Sequence, residues 1–212
     1  MSEFKEIEYK YSASSISKDI FKKVCDKIHA SLNKQPSSFW DTLTGQNSHI
    51  TNAVSSDAFY VNLAAFTYSP DIVRYRYNHD RKELTLKKNT NKENCINRQE
   101  INLSLVNTMD FNTVDSFLNM LGYTFDYEIE KEFTIYHFSN CEIVYYTVYD
   151  QGKKLESFIE IEATKYSNEV EAVSIIDKYE DLLIENLLEY DVKLDIRVNE
   201  SLYTLIKKYM GV

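Results

Sequence analysis

The sequence predicts an α+β protein in which about eight antiparallel strands are flanked by helices, a strand count that suffices to close a small barrel. Two observations carry that prediction. Seventeen Tyr and 11 Phe against only 4 Gly and 2 Pro favour a strand-rich chain. Apolar and polar residues also alternate with period two in a series of short segments parted by turn chemistry, whereas a period near 3.6 is confined to a few stretches.

The 212 residues suit one domain, 1–212, with a motif-bearing core over 3–165 and C-terminal helices over 167–210; no repeat and no Pro/Gly/Ser linker divides it. Hydrophobic residues make up 43% and charged residues 27%, the balance of an ordinary globular chain. The net charge of −9 argues against a broad nucleic-acid surface, which needs clustered Lys and Arg. There is no apolar run of membrane-spanning length, and the start Met-Ser-Glu-Phe-Lys-Glu lacks the apolar region of a signal peptide, so the expected location is cytoplasmic and no membrane partner is expected. Cys25, Cys95 and Cys141 are odd in number and far apart, which suggests neither a disulfide framework nor a zinc ribbon. His29, His49, His79 and His137 show no metal-ligand spacing.

In chain order, a first strand covers Glu6-Ile7-Glu8-Tyr9-Lys10. Helix-start residues at Ser12 to Ser15 precede Ile16, Ile20, Phe21, Val24 and Ile28, which recur at helical spacing to about Leu32. Residues 35–53 read as a connection or lid in which Trp40 anchors the segment by packing. Strands follow over Asp57–Leu63, Ile72–Asn78, Lys82–Lys88 and Asn97–Leu105, with a hairpin turn at Asn78-His79-Asp80-Arg81 and a loop at Asn89–Asn94. Phe111 to Leu121 is helical, ending at Gly122. Three more strands cover Tyr127–Phe138, Glu142–Tyr149 and Phe158–Thr164, with Gln151-Gly152 turning between the last two. From Ser167 the chain is helical again, with Val170, Val173, Ile176, Tyr179, Leu183 and Leu187 in phase, and a short helix over Glu200–Tyr209 closes it.

Function is written in the polar faces of these strands. Glu6, Glu8 and Lys10 share one face, opposite Ile7 and Tyr9. Carboxylates two residues apart on a strand are about 6.7 Å apart. Their repulsion is roughly 2.5 kcal/mol at an effective dielectric near 20, against about 0.6 kcal/mol in water. Facing inward, such a row needs a cation, and a hard divalent ion is the usual one. The same parity groups Arg74 with Arg76, Glu83 with Thr85 and Lys87, Arg98 with Glu100, and Glu160 with Glu162. A sheet with one face in water would alternate in the same way. Two details weigh against that reading. Lys131 lies between Ile129 and Phe133 on the apolar face of its strand, where a merely structural lysine is costly. Acidic residues also concentrate at the first and last strands with basic ones between. If the faces converge, Glu6, Glu8, Glu160 and Glu162 can hold one or two divalent ions, and Lys10, Arg74, Arg76, Lys87, Arg98 and Lys131 can bind phosphate oxygens. No Gly-rich loop offers backbone amides for the same task.

Taken in order, Glu6-x-Glu8-x-Lys10, Arg74-x-Arg76, Leu84-Thr85-Leu86-Lys87, Arg98-x-Glu100, Ile129-x-Lys131 and Leu155-x-x-Phe158-x-Glu160-Ile161-Glu162 resemble the CYTH, or triphosphate tunnel metalloenzyme, superfamily over residues 3 to about 165. The resemblance implies an eight-stranded antiparallel β-barrel enclosing a tunnel, with Glu6, Glu8, Glu160 and Glu162 as catalytic metal ligands for Mg²⁺ or Mn²⁺ and Glu100 as a further one. Lys10, Arg74, Arg76, Lys87, Arg98 and Lys131 are implied to hold the phosphates, with Lys10 counted among the catalytic residues as well. Asp150 resembles the family's Asp ahead of the last strand and is implied as a further metal ligand beside the glutamates, and Asp57 resembles the acidic residue before its Tyr-rich second strand. The implied activity is a metal-dependent triphosphatase that removes the terminal phosphate of a nucleoside triphosphate, tripolyphosphate or an RNA 5′ end. The alternatives are a class IV-type adenylyl cyclase and a non-catalytic triphosphate or nucleotide sensor. The chain departs from the family pattern at Phe133, where Lys-x-Arg is common, at Glu156, where Gly is usual, and in the long segment between Lys10 and Arg74.

Overall fold

The structure, a computed structural model, describes residues 5–32, 49–62, 72–88 and 98–211. At residues 5, 6, 87, 88, 98 and 99 it describes the strand backbone alone. The strands are β1 (Lys5–Glu6), β2 (Glu8–Ser12), β3 (Ile50–Val61), β4 (Ile72–Tyr77), β5 (Lys82–Lys88), β6 (Arg98–Leu105), β7 (Thr124–His137), β8 (Cys141–Asp150) and β9 (Lys153–Ala163). The helices are α1 (Lys18–Leu32), α2 (Phe111–Met120), α3 (Glu169–Leu188) and α4 (Leu202–Met210). The expected connection over 35–53 lies outside the described residues as far as 48, Trp40 included, and from Ile50 onward the chain is already strand β3.

All the strands join one antiparallel sheet in the order β1-β6-β5-β4-β3-β7-β8-β9-β2. Its two outermost members, β1 and β2, are halves of the single first strand expected from the sequence, parted only by the buried Ile7. Glu6 lies opposite Arg98 of β6 and Glu8 opposite Glu162 of β9, so the sheet curls until its ends are one residue apart. The ring of ladder hydrogen bonds is nevertheless incomplete. On β2, Val198 N donates to Lys10 O at 2.7 Å and Arg197 bridges Tyr11, so the segment leading into α4 occupies the edge that a seamless ring would give to β6.

Period-two side-chain geometry then divides each strand between an outer and an inner face. On the outside, α1 and α3 bury Ile7, Tyr9, Tyr11, Ile143, Tyr145, Ile159 and Ile161 of β2, β8 and β9 and the residue leading into β2. Helix α1 turns Phe21, Val24, Cys25 and Ile28 to that layer, and Ser17 Oγ caps it by accepting from Ile20 N. Helix α2, capped by Asp110, covers Ala58, Tyr60, Val73, Tyr75 and Leu84 of β3 to β5. Cys25 and Cys141 are buried free thiols.

The third apolar cluster is inside the curl. Phe59, Ile72, Ile129, Tyr146, Val148 and Phe158 meet Ile206 of α4, with Leu202, Tyr203, Leu205 and Met210 beside it. A β-bulge helps to fix α4 there. β3 pairs Phe59 with Tyr127 and Tyr60 with Phe125, which leaves Asp126 as the extra residue of β7. Its carboxylate accepts from Tyr203 Oη at 2.6 Å and pairs with Lys207 Nζ at 3.0 Å. The β8–β9 hairpin turns at Gln151-Gly152, both with positive φ (49° and 78°), the twist that suits a two-residue hairpin.

Candidate functional site

The inner faces enclose a cavity of about 280 Å³ lined from β2 through β9 and by the first residues of α4. Side chains from so many strands can share one cavity only because the sheet curls, so the charged faces expected to converge do converge.

On β2, Lys10 is buried and faces Glu160 across the ladder, while Glu8 faces Glu162. Lys10 Nζ lies 3.0 Å from Glu160 Oε1 and donates to Glu8 Oε1 at 3.2 Å, so one ammonium bridges two carboxylates. Tyr146 Oη also donates to Glu160 Oε1, at 2.7 Å. Burial alone would raise the Glu160 carboxyl, but Lys10, Lys131 and the tyrosine bond outweigh it and hold the group below the usual carboxylate range. It is an anion at neutral pH.

Opposite lies a second knot around Asp57, whose side chain is fully buried. Arg76 grips it with both arms, Nε to Oδ1 at 2.7 Å and Nη2 to Oδ2 at 2.8 Å, and Lys131 Nζ is 4.0 Å from Oδ2. The cost of burying Asp57 is overcome by Arg76 first and Lys131 next, and its carboxyl is held far below the usual range. Lys131 Nζ sits 3.9 Å from the centroid of the Tyr146 ring. Burial, then the Arg76 guanidinium, push this ammonium down to about 7 against the pull of Asp57 and Glu160. An anion arriving in the cavity would restore its charge.

Arg74 completes the inner row of β4. Its Nη2 donates to Thr85 Oγ1 at 3.0 Å, Thr85 donates to Asn102 at 2.7 Å, and the buried Arg74 Nε has no hydrogen-bond partner among the described residues. A phosphate oxygen would satisfy it.

Of the residues expected from the sequence, Glu8, Lys10, Arg74, Arg76, Glu100, Lys131, Glu160 and Glu162 line this one cavity. Glu6, Lys87 and Arg98 stand on strands β1, β5 and β6, with Glu6 paired to Arg98 and Lys87 to Glu100, but their side chains lie outside the described set. Asp150 is not among the lining residues. It ends β8 opposite Lys153 in the hairpin, beyond a second register shift, away from the glutamates it was expected to join. Sequence reasoning missed Glu83, Asn102, Arg81 and Glu142, which also line the cavity. Glu83 shares a strand face with Thr85 and Glu142 lies opposite Glu162, so parity was the available signal.

The wall carries six carboxylates, from Glu8, Glu83, Glu100, Glu142, Glu160 and Glu162, against five cations, Lys10, Arg74, Arg76, Arg81 and Lys131, among the described residues. The described lining thus carries one more carboxylate than cation, so accompanying cations would favour the entry of a highly charged anion. The donor set is all oxygen, which suits hard ions such as Mg²⁺ or Mn²⁺. Among the described residues no three His, Cys, Asp or Glu side chains form a ready metal cage.

An antiparallel sheet curled around a bore that mixes glutamates with arginines and lysines is the architecture implied for a triphosphate tunnel. Solved structures bear out the likeness of fold. A Pyrococcus horikoshii protein, PH1819, superposes with a TM-score of 0.63 at 20% identity, covering 96% of this chain and 98% of its own. PH1012 from the same organism gives 0.58 at 18% identity over 84% and 89% of the two chains. A Vibrio parahaemolyticus protein described as a "putative adenylate cyclase" gives 0.55 at 14% identity over 98% of each chain. No family model and no curated protein matches the sequence. What this chain shares with these structures is the fold. No helix among the described residues is long and apolar enough to cross a membrane.

Proposed function

We propose that this chain is a metal-dependent triphosphatase that hydrolyses the terminal phosphate of a triphosphate substrate within the tunnel formed by its curled, incompletely closed sheet. The observation that carries the reading is the convergence of Lys10, Arg74, Arg76 and Lys131 with Glu8, Glu160 and Glu162 on one cavity. Arg74 and Arg76 offer planar forks to phosphate oxygens. Asp57 holds Arg76 in place, so its orientation needs no rearrangement when substrate arrives. Lys131 adds an amine beside Arg76 at Asp57, and Lys10 an ammonium on the wall opposite. Glu8, Glu160 and Glu162, with Glu100 in addition, would hold one or two Mg²⁺ or Mn²⁺ ions, which supply neutralisation of the phosphate oxygens and a more acidic water. Curling of the sheet and the α4 residues at the cavity wall restrict bulk water, which strengthens each of these contacts.

The test is a substrate panel of ATP, GTP, thiamine triphosphate, tripolyphosphate and triphosphorylated RNA with Mg²⁺ or Mn²⁺, with orthophosphate and pyrophosphate both measured. Orthophosphate release is expected, abolished by Glu8→Gln or Glu162→Gln and lowered by about 10³-fold in Arg74→Ala, the low end for a well-placed arginine in phosphoryl transfer. Pyrophosphate with a cyclic nucleotide would identify a cyclase, and tight binding without product a sensor.

A further inference from the structure

We infer that Arg81, on the β4–β5 hairpin, is an additional phosphate-binding arm of the cavity, and that Glu83 holds it in readiness by occupying the place of the anion. The inference rests on the triphosphate reading above. It starts from a buried carboxylate that is out of place in a cavity meant for phosphate. Glu83 is 4% exposed and faces the bore, opposite Arg76 on the neighbouring strand. Its carboxylate accepts from Arg81 Nη2 on one oxygen. Its other oxygen lies 3.5 Å from Thr85 Oγ1, whose proton goes to Asn102, and 3.9 Å from Arg74 Nη2. Two guanidiniums thus converge on a single carboxylate, with a third, Arg76, in the adjacent register. That is the arrangement by which arginines bind a phosphate group.

The arms differ in how firmly they are tied. Arg76 is fixed by two short bonds to Asp57 and Arg74 by its bond to Thr85, whereas Glu83 is the described partner of the Arg81 guanidinium. The Arg81 backbone is itself held. Asn78 Oδ1 accepts from Asp80 N at 2.8 Å and Arg81 N at 2.7 Å, and Asn78 N donates to Arg81 O at 2.9 Å. A locked turn therefore carries a side chain that is 65% exposed yet lines the cavity. Such a side chain can exchange Glu83 for an incoming phosphate with a change of rotamer and no movement of the strand. Glu83 would then remain between Thr85 and Arg74, and its like charge sets a penalty that an anion must overcome to enter. Arg81 binds substrate; Glu83 is a positioning residue.

The experiment is calorimetric titration of the full chain with tripolyphosphate in metal-free buffer at several salt concentrations. Arg81→Ala is expected to weaken binding about 10-fold or more, as for loss of a charge-assisted hydrogen bond. The salt dependence should become shallower, and Arg81→Lys should recover part of the loss. Glu83→Gln is expected to bind several-fold more tightly than the wild type, because both arginines are released, and a purely structural role for Glu83 would not produce a gain. Wild-type-like binding by Arg81→Ala, or weakened binding by Glu83→Gln, overturns the inference. Failure of the wild-type protein to bind tripolyphosphate, with or without Mg²⁺, would instead overturn the triphosphate reading on which it rests.

Discussion

Replacing Asp57 by Asn should make the protein markedly less stable and at the same time a better anion binder. In the native protein the carboxylate is fully buried, pairs with Arg76 at 2.7 and 2.8 Å and lies 4.0 Å from Lys131. A unit charge at 4 Å is worth about 4 kcal/mol at an effective dielectric of 20. Removing one partner of a buried pair costs about 3–5 kcal/mol, because the remaining charge is left uncompensated. Asn keeps one carbonyl acceptor for Arg76, which puts the loss near the lower end, about 3 kcal/mol. For a domain of this size that lowers Tm by roughly 6–12 °C. The native carboxyl titrates far below its unfolded value near 3.9, so its contribution is complete at neutral pH and is lost only as pH falls below about 4. Thermal unfolding at pH 7.5, followed by circular dichroism with and without tripolyphosphate, reads both halves of the effect. Anion at about 100 times its Kd stabilises by about 2.7 kcal/mol. Release of the Arg76 charge should deepen that stabilisation in the variant, with a tenfold lower Kd adding about 1.4 kcal/mol. A variant that melts like the wild type, or that gains no more from the anion, would show that Asp57 does not hold Arg76 and Lys131 in a shared anion site.

Two other perturbations read different parts of the same architecture. Burial pushes the Lys131 ammonium down to about 7, so tripolyphosphate binding at pH 8 should be accompanied by proton uptake, seen as a dependence of the binding heat on buffer ionisation enthalpy and absent in Lys131→Met. Because its folded value lies below the unfolded value near 10.4, the cost of burying the cation is fully present below pH about 7 and is relieved as pH rises towards 10, so Lys131→Met should flatten a rise in stability across that window. Asp126→Ala removes the partner of Tyr203 and Lys207 and should speed amide hydrogen exchange across α4 while leaving α1 and α3 protected; equal exchange in variant and wild type would mean that the bulge does not hold the helix.

Much of the sheet was legible because side-chain parity is a local property. Strands β4, β5 and β6, the hairpin at Asn78–Arg81 and the turn at Gln151-Gly152 fall where alternation and turn residues put them. Lys131 was the most informative residue. A lysine between Ile129 and Phe133 has no reason to lie on an apolar face unless that face meets anions, and it is found beside Asp57 and Tyr146. Parity states which residues share a face, but it is silent about what stands opposite. The segment ending at Arg197 and Val198 takes an edge of β2, and α4 packs into the interior cluster, through contacts between parts of the chain nearly 190 residues apart. The amphipathic pattern of Glu200–Tyr209 indicated a helix with an apolar side and could not indicate that this side would face the bore.

The expected segregation of charge, acids at the first and last strands and bases between, holds for Glu8, Glu160 and Glu162 but fails in the middle of the sheet. Asp57, Glu83 and Glu100 stand among the basic strands. The reason is energetic. Guanidinium and ammonium groups withdrawn from water cannot be left uncompensated in the unliganded protein, and each needs a neighbouring anion at a cost comparable with the stability of a domain. The cationic wall therefore carries its own counter-charges. These hold its arginines in register and reduce the net attraction of the wall for the phosphate chain proposed to bind there. A bore of segregated charge would attract phosphate more strongly and would fold less stably. The pairing of Arg76 with Asp57 is where the two demands meet: one carboxylate compensates the buried guanidinium and fixes its direction toward the site proposed for the substrate.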